Sequence, residues 1–179
     1  LACMFPEMRS TLADADTAAG DGPVRLSDII HPHPAFDEAT SKAQVAALRA
    51  TDVSQPALGA VSLGAWGVLQ RFGVDFDAAA GHSYGELVAL CAAGRLAVSD
   101  LHRLSQLRGR LMAEGTGDRG AMLAVFADHE AVAGLLARHD LDLVVANRNA
   151  PRQMVLSGST AEVDRAEALF SELDLTVRR

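Results

Sequence analysis

The sequence predicts an α/β protein built in two parts. The first is an α/β unit centred on a strand–turn–helix elbow. The second is a small unit with the element order βαββαβ, the ferredoxin-like split arrangement. Three observations carry this reading. Gly81-His82-Ser83-Tyr84-Gly85-Glu86 lies where a short apolar run meets a helical pattern. Helical periodicity recurs between residues 38 and 114 around that hexapeptide, and after Gly120 short strand-like runs alternate with helices. The 179 residues are 49% hydrophobic and 22% charged, which suits one packed core, or one core with a small subdomain, and argues against disorder.

Residues 20–37 are rich in loop formers (Gly20, Gly22, Pro23, Pro32, Pro34). His31 and His33 sit in this Pro-flanked stretch with no further ligands clustered nearby, so they read as an exposed loop and not as a metal pair. Helical patterns follow at 38–50 and 54–71. The second is apolar around much of its circumference (Ala57, Leu58, Val61, Leu63, Trp66, Leu69), as expected of a helix packed on several sides. Val74–Ala80 reads as a short buried strand. Leu87, Val88, Leu90 and Cys91 then fall at helical spacing over 84–93, with Gly94 as the C′ stop. A further helix spans 99–114. Next come a strand at Ala121–Ala127, a helix at Glu130–Arg138, and strands at Leu143–Asn147 and Gln153–Ser157 around the turn Asn149-Ala150-Pro151. A helix at Ala161–Leu173, capped by Ser159 or Thr160, and a strand at Leu175–Val177 complete the order. Gly115–Gly120 spells G-x-G-x-x-G. A dinucleotide fingerprint must follow a strand and open a helix, whereas here a helix precedes and a strand follows, so the segment reads as a flexible connector.

Two features carry chemistry. A serine on a tight strand-to-helix turn is pushed out to react, which makes Ser83 a candidate nucleophile for acyl chemistry. Gly81 and Gly85 let the turn take unusual φ/ψ values and let neighbouring chain pass without a Cβ in the way. Ser83 and Glu86 also spell a capping box, but a capping box explains neither glycine. The second feature is a charge on an apolar stripe. In the helix at 99–114 the stripe is Leu101, Leu104, Leu107, Leu111 and Met112, and Arg108 stands four residues from both Leu104 and Met112. A guanidinium there must find an anion or keep its head wet. Spacing alone admits two readings: the Arg108 head snorkels or pairs with a structural carboxylate, or it faces a cleft and grips a substrate carboxylate bidentately.

Bulk properties exclude several classes. A net charge of −7 speaks against nucleic-acid binding, which needs clustered cations. Cys3 and Cys91 have neither metal nor disulfide spacing, which makes a reducing cytoplasm the expected location. The apolar stretch from Pro56 to Leu69 is interrupted by Ser62 and three glycines, and is too short and broken to span a bilayer. The chain starts at Leu1 without a charged n-region and stops at Arg178-Arg179 after a strand-like run, so it reads as an internal piece of a longer polypeptide without a signal peptide.

With these residues in hand, the chain resembles the acyltransferase domain of polyketide and fatty-acid synthases, the malonyl-CoA:acyl-carrier-protein transacylase family. The matching pieces are Gly81–Glu86, the helix Arg103–Met112 with Arg108-Gly109, Ser54-Gln55-Pro56-Ala57, and Asn149–Gly158, in the family's order and across nearly the whole chain. Tyr84, with Thr51–Pro56, looks most like domains of iterative enediyne or polyunsaturated-fatty-acid synthases. The resemblance implies an α/β-hydrolase-like large subdomain, with 1–118 as part of that core and both family termini missing, and a ferredoxin-like small subdomain at 119–179. It implies that Ser83 takes a malonyl-type acyl group from coenzyme A as an ester. The group then passes to the phosphopantetheine thiol of an acyl carrier protein, with other synthase domains as partners. The Tyr84 backbone N–H would supply half of the oxyanion hole. Arg108 would hold the free carboxylate, and His82, Gln55 and Met112 would line the pocket. No metal or cofactor is implied beyond the coenzyme A thioester and the phosphopantetheine arm as substrates.

The family's Gly-Gln-Gly segment, source of the other oxyanion donor, and its catalytic His have no counterpart in these residues. His102, His129 and His139 carry no family role. A serine without a base is a weak nucleophile, so the isolated 179 residues are expected to be nearly inactive. Two rival readings share some of these features. A serine esterase or thioesterase has the elbow but no need for Arg108. A truncated, non-catalytic docking piece would bind other synthase parts, and Arg103, Arg110, Arg178 and Arg179 would be its candidates for contacting an acidic carrier protein.

Overall fold

A computed structural model describes residues 2–20, 22–114 and 117–179. The chain divides into two compact units, Leu1–Glu114 and Gly115–Arg179, a boundary slightly N-terminal of the 118/119 position read from the sequence. The fold is mixed α/β: helices throughout, and one small antiparallel sheet.

Among the described residues of the first unit every regular element is a helix: α1 (Pro6–Ala19), α2 (Leu26–Ile30), α3 (Glu38–Arg49), α4 (Thr51–Arg71), α5 (Gly85–Ala92) and α6 (Val98–Ala113). Helix α1 has no counterpart in the pattern reading, because its buried face is only Met8, Leu12 and Ala15 on an otherwise polar helix. Pro6 at its first turn costs nothing there, since that N–H would be unpaired anyway. Helix α2 falls inside the stretch read as loop; Leu26 anchors it, and Ser27 binds the Asp16 carboxylate through both its N–H (2.9 Å) and its hydroxyl (2.6 Å). Helix α3 starts where Asp37 accepts from the Thr40 N–H at 2.7 Å. Helix α5 ends at Gly94 as expected: Gly94 takes φ +69°, its N–H reaches Cys91 O, and the Arg95 N–H reaches Leu90 O, a Schellman motif.

The expected strand at Val74–Ala80 is not formed. The segment is irregular and exposed apart from half-buried Phe76, whose ring lies 4.6 Å from that of Trp66. A strand exists only by exchanging backbone hydrogen bonds with a neighbour, and the described residues of this unit form no strand for it to pair with.

Helix α4 is the centre of the unit, packed against α1 on one side and α6 on another. Its contact faces are made of small residues. A Cβ at Gly64 would run into the Met8 sulfur, and one on α6 at Gly109 would lie 2.8 Å from the Asp52 Cα. These glycines bring the helix backbones close together. As the sequence predicts, α4 is packed on several sides, although Leu58, Val61 and Leu69 on it are exposed. The buried face of α6 differs from the expected one. Of its apolar stripe only Leu101 is buried, while Leu104, Leu107, Leu111 and Met112 are exposed and Leu101, His102, Ser105 and Gly109 form the packed face. Close packing selects the side of a helix that lacks bulk, and here that is not its most apolar side.

The second unit consists of β1 (Ala121–Val125), α7 (His129–Arg138), β2 (Val144–Ala150), β3 (Gln153–Gly158), α8 (Thr160–Glu172) and β4 (Val177–Arg178). The sheet order is β2-β3-β1-β4 with every pairing antiparallel, the ferredoxin-like topology. Leu123 opposes Leu156 and Val125 opposes Met154, which places all four on the face that packs with Val132, Val163, Ala166 and Phe170. Ser159, not Thr160, caps α8, accepting from the Glu162 N–H. The segment read as a flexible connector is pinned where it is described. Asp118 accepts from the Thr160 N–H (2.9 Å) and hydroxyl (2.5 Å) and from the Gly120 N–H (2.9 Å). Gly115 and Thr116 of that motif lie outside the described residues.

The ion pairs among the described residues each have at least one exposed partner and add little, so apolar burial dominates stability. Phe170 is fully buried at the centre of the second unit's core, so Phe170→Ala should cost about 3–5 kcal/mol in urea unfolding of that unit. The first unit has a pH-sensitive point. His102 is buried with its Nε2 unpartnered, and burial holds its value below the ordinary 6.5, with the Asp14 charge pulling the other way. The unfolded chain therefore takes up this proton first as pH falls. The His102 contribution to stability is complete above about pH 6.5 and is lost progressively below it. Thermal unfolding between pH 7 and 5 should show this loss, and His102→Leu should flatten the slope.

Candidate active site

The elbow is present as a backbone feature even without its strand. Ser83 takes φ +55°, the left-handed region, where a side chain with a Cβ costs about 1–2 kcal/mol. The turn behind it closes through three hydrogen bonds: Gly85 N–H to His82 O (2.9 Å), Glu86 N–H to Ser83 O (3.1 Å) and Leu87 N–H to Tyr84 O (3.1 Å). The Tyr84 N–H takes no backbone acceptor in this turn and stands at the N-terminus of α5, the end of a helix that stabilises negative charge. Ser83 and His82 are exposed.

The two flanking glycines differ. A Cβ at Gly81 would strike the carbonyl of Gly85 and the backbone nitrogen of Glu86, so only glycine fits. A Cβ at Gly85 would meet nothing within 4 Å, so the steric reason expected there does not apply within the described residues.

The side chain of Tyr84 turns inward while Ser83 turns out. Its phenol is buried, and its oxygen lies 2.6 Å from Ser105 Oγ on α6. Ser105 in turn donates to Leu101 O at 2.6 Å. A hydroxyl has one proton, so Tyr84 is the donor to Ser105. Gly59 of α4 makes the room, because a Cβ there would overlap the Tyr84 oxygen. Burial pushes the phenol above its usual value, against the pull of the Ser105 hydrogen bond and the Arg108 charge.

About one helical turn away from Gly59 and Ser105 on these helices stand Gln55 and Arg108. Gln55 is buried, and its carbonyl oxygen accepts from Arg108 Nη1 at 2.7 Å. Its Nε2 lies 3.2 Å from Met112 Sδ. Arg108 is half-buried and makes no ion pair among the described residues. It lines an open cavity of about 510 Å³ with Leu87, Leu104, Leu107, Leu111 and Met112. Of the two readings of Arg108, the structural-carboxylate pairing thus has no partner among the described residues. A guanidinium carries five N–H donors, and one neutral acceptor leaves most of them for another ligand.

The structure therefore brings together Gln55, Arg108 and Met112, and joins Tyr84 to the same pair of helices through Ser105. Sequence reasoning missed Gly59 and Ser105. A serine on a helix face with leucines at i−4 and i−1 was the available signal, but its meaning depends on the tyrosine that fills the neighbouring slot.

Residues 7–179 match the family described as "Acyl transferase domain". The polyketide synthase GfsA of Streptomyces halstedii is 40% identical over 129 residues, covering 72% of this chain and 2% of that protein. The acyltransferase domain from module 8 of the salinomycin polyketide synthase superposes with a TM-score of 0.81 at 28% identity, covering 100% of this chain and 40% of that one. The acyl-carrier-protein-S-malonyltransferase of Bartonella henselae does so with a TM-score of 0.81 at 30% identity, covering 98% of this chain and 54% of that one. The chain thus spans about half or less of the length of these solved relatives. With the left-handed serine, the inward tyrosine and the half-buried arginine all in place across this match, the chain belongs to the acyl transferase domain family.

Proposed function

We propose that this chain carries the nucleophile and the carboxylate-binding part of a malonyl-type acyltransferase acting in polyketide synthesis. Ser83 Oγ attacks the thioester carbonyl of an acyl-coenzyme A while its proton passes to a general base. The oxyanion forms against the Tyr84 N–H at the start of α5. Collapse breaks the C–S bond, the coenzyme A thiolate leaves and takes up a proton, and the acyl group stays on Ser83 as an ester. The phosphopantetheine thiol of an acyl carrier protein then attacks the ester, and Ser83 Oγ regains its proton. Neither step needs a cofactor or metal.

The observation that carries the malonyl assignment is Arg108, a half-buried guanidinium whose described partner is a neutral amide. Gln55 fixes its position without neutralising it, and the open cavity it lines is otherwise apolar, so an entering acyl group meets one cation and no competing protein anion there. A free carboxylate on the acyl group supplies the missing anion. Met112 and Gln55 shape the Arg108 side of the pocket, and His82 flanks the nucleophile. The relatives' names, a polyketide synthase and an acyl-carrier-protein malonyltransferase, support the same substrate and partner.

Mass spectrometry of the full-length protein with malonyl-CoA should show one malonyl adduct, absent in Ser83→Ala. Arg108→Ala should slow malonyl loading at least about 100-fold while acetyl loading holds or rises. Malonyl loading that survives Arg108→Ala would remove the carboxylate role. Gly81→Ala should sharply slow labelling of Ser83 by an alkyl fluorophosphonate, because the added methyl collides with the Gly85 carbonyl; wild-type labelling rates would mean that the turn does not set Ser83 reactivity.

A further inference from the structure

We propose that the Tyr84 side chain is a positioning residue: its hydroxyl, clamped to Ser105 in the slot opened by Gly59, holds Ser83 and the Tyr84 N–H in their reactive geometry. The inference rests on the reading of Ser83 as nucleophile and goes beyond it by assigning a function to three groups that touch no substrate. Ser83 sits in a left-handed conformation that only its surroundings can maintain. On the N-terminal side Gly81 packs against the Gly85–Glu86 backbone. On the C-terminal side the next residue is the buried phenol of Tyr84, tied by a hydrogen-bond chain from its O–H to Ser105 Oγ (2.6 Å) and on to Leu101 O (2.6 Å). Leu101 and Ser105 are themselves fully buried, so the chain ends on rigid helix.

One residue thus performs two tasks. Its backbone N–H points to where the oxyanion forms, and its side chain fixes that N–H relative to α4 and α6. Because Arg108 stands three residues beyond Ser105 on α6, the same clamp sets the register between nucleophile and carboxylate-binding group. The slot is specific to this combination: a side chain larger than glycine at 59 would overlap the phenol oxygen. Losing the hydroxyl leaves the ring buried but free to shift within the slot, and small misplacements of reacting groups cost rate more than binding.

The test is single-turnover acylation of the full-length protein with malonyl-CoA, together with fluorophosphonate labelling, for Tyr84→Phe, Ser105→Ala and the double variant. The maximal acylation rate should fall roughly 10-fold in each single variant, with the half-saturating malonyl-CoA concentration unchanged within about twofold. Fluorophosphonate labelling should slow by a similar factor. The double variant should be no slower than either single, since both remove one link. Melting temperatures should drop by no more than about 5 °C, so that lost rate is not lost fold. Wild-type rates in Tyr84→Phe, multiplicative losses in the double variant, or a change in half-saturation alone would overturn the clamp. Should Tyr84→Phe melt far lower, Ser105→Ala alone decides by the same rate criterion. If wild type labels with fluorophosphonate but takes no malonyl group, the malonyl assignment fails while the clamp is still judged by labelling; if wild type does neither, both fail.

Discussion

Everything placed at the candidate site depends on how closely α4 and α6 approach. Glycines and small side chains on the two helices, Gly59 and Gly109 with Ser105, leave no bulk between the backbones. Into the gap that remains at Gly59 goes one large group, the Tyr84 phenol, and its hydroxyl finds the buried Ser105 oxygen. A tyrosine buried without a partner for its O–H would be costly. The packing of two helices therefore dictates where the residue after Ser83 must lie, and so where Ser83 points.

The same helix pair explains how a positive charge can be held half out of water. The Arg108 guanidinium needs a hydrogen-bond acceptor to be placed, but an acidic partner would neutralise it and compete with an anionic ligand. Gln55 satisfies the first need without the second effect. Its own burial demands that both ends of its amide be occupied, and the Met112 sulfur takes the other end as a weak acceptor. Electrostatics and packing meet at this point. The charge is felt at the Tyr84 phenol, one turn back along the helix, where it counters the upward push of burial.

Much of this was legible in the residues. The second unit was read nearly element by element because alternation in strands and periodicity in helices are local signals. Leu123, Val125, Met154 and Leu156 alternate inward as their spacing requires. The elbow was legible because Gly81 has no substitute once the chain doubles back on Gly85. Other expectations met a competing rule. Val74–Ala80 has strand composition but no neighbour to pair with among the described residues. The apolar stripe of α6 named the wrong buried face, because close packing favours Ser105 and Gly109 over leucine. Helix α1 carried too few large apolar residues to announce itself, and the Asp118 clasp on Thr160 anchors the described end of a segment expected to be flexible.

By itself the sequence determined the residue types that chemistry needs: a serine between glycines, an arginine on the apolar stripe of a helix, and a βαββαβ order that reads as the ferredoxin-like arrangement. These are properties of order and spacing along the chain. Only the tertiary structure decided that Ser83 adopts a left-handed backbone, that Tyr84 points inward to Ser105, and that Gln55 and not a carboxylate holds Arg108. Those outcomes join residues separated by 21 and 53 positions, and they are set by which helix faces can approach closely, a property no local pattern encodes.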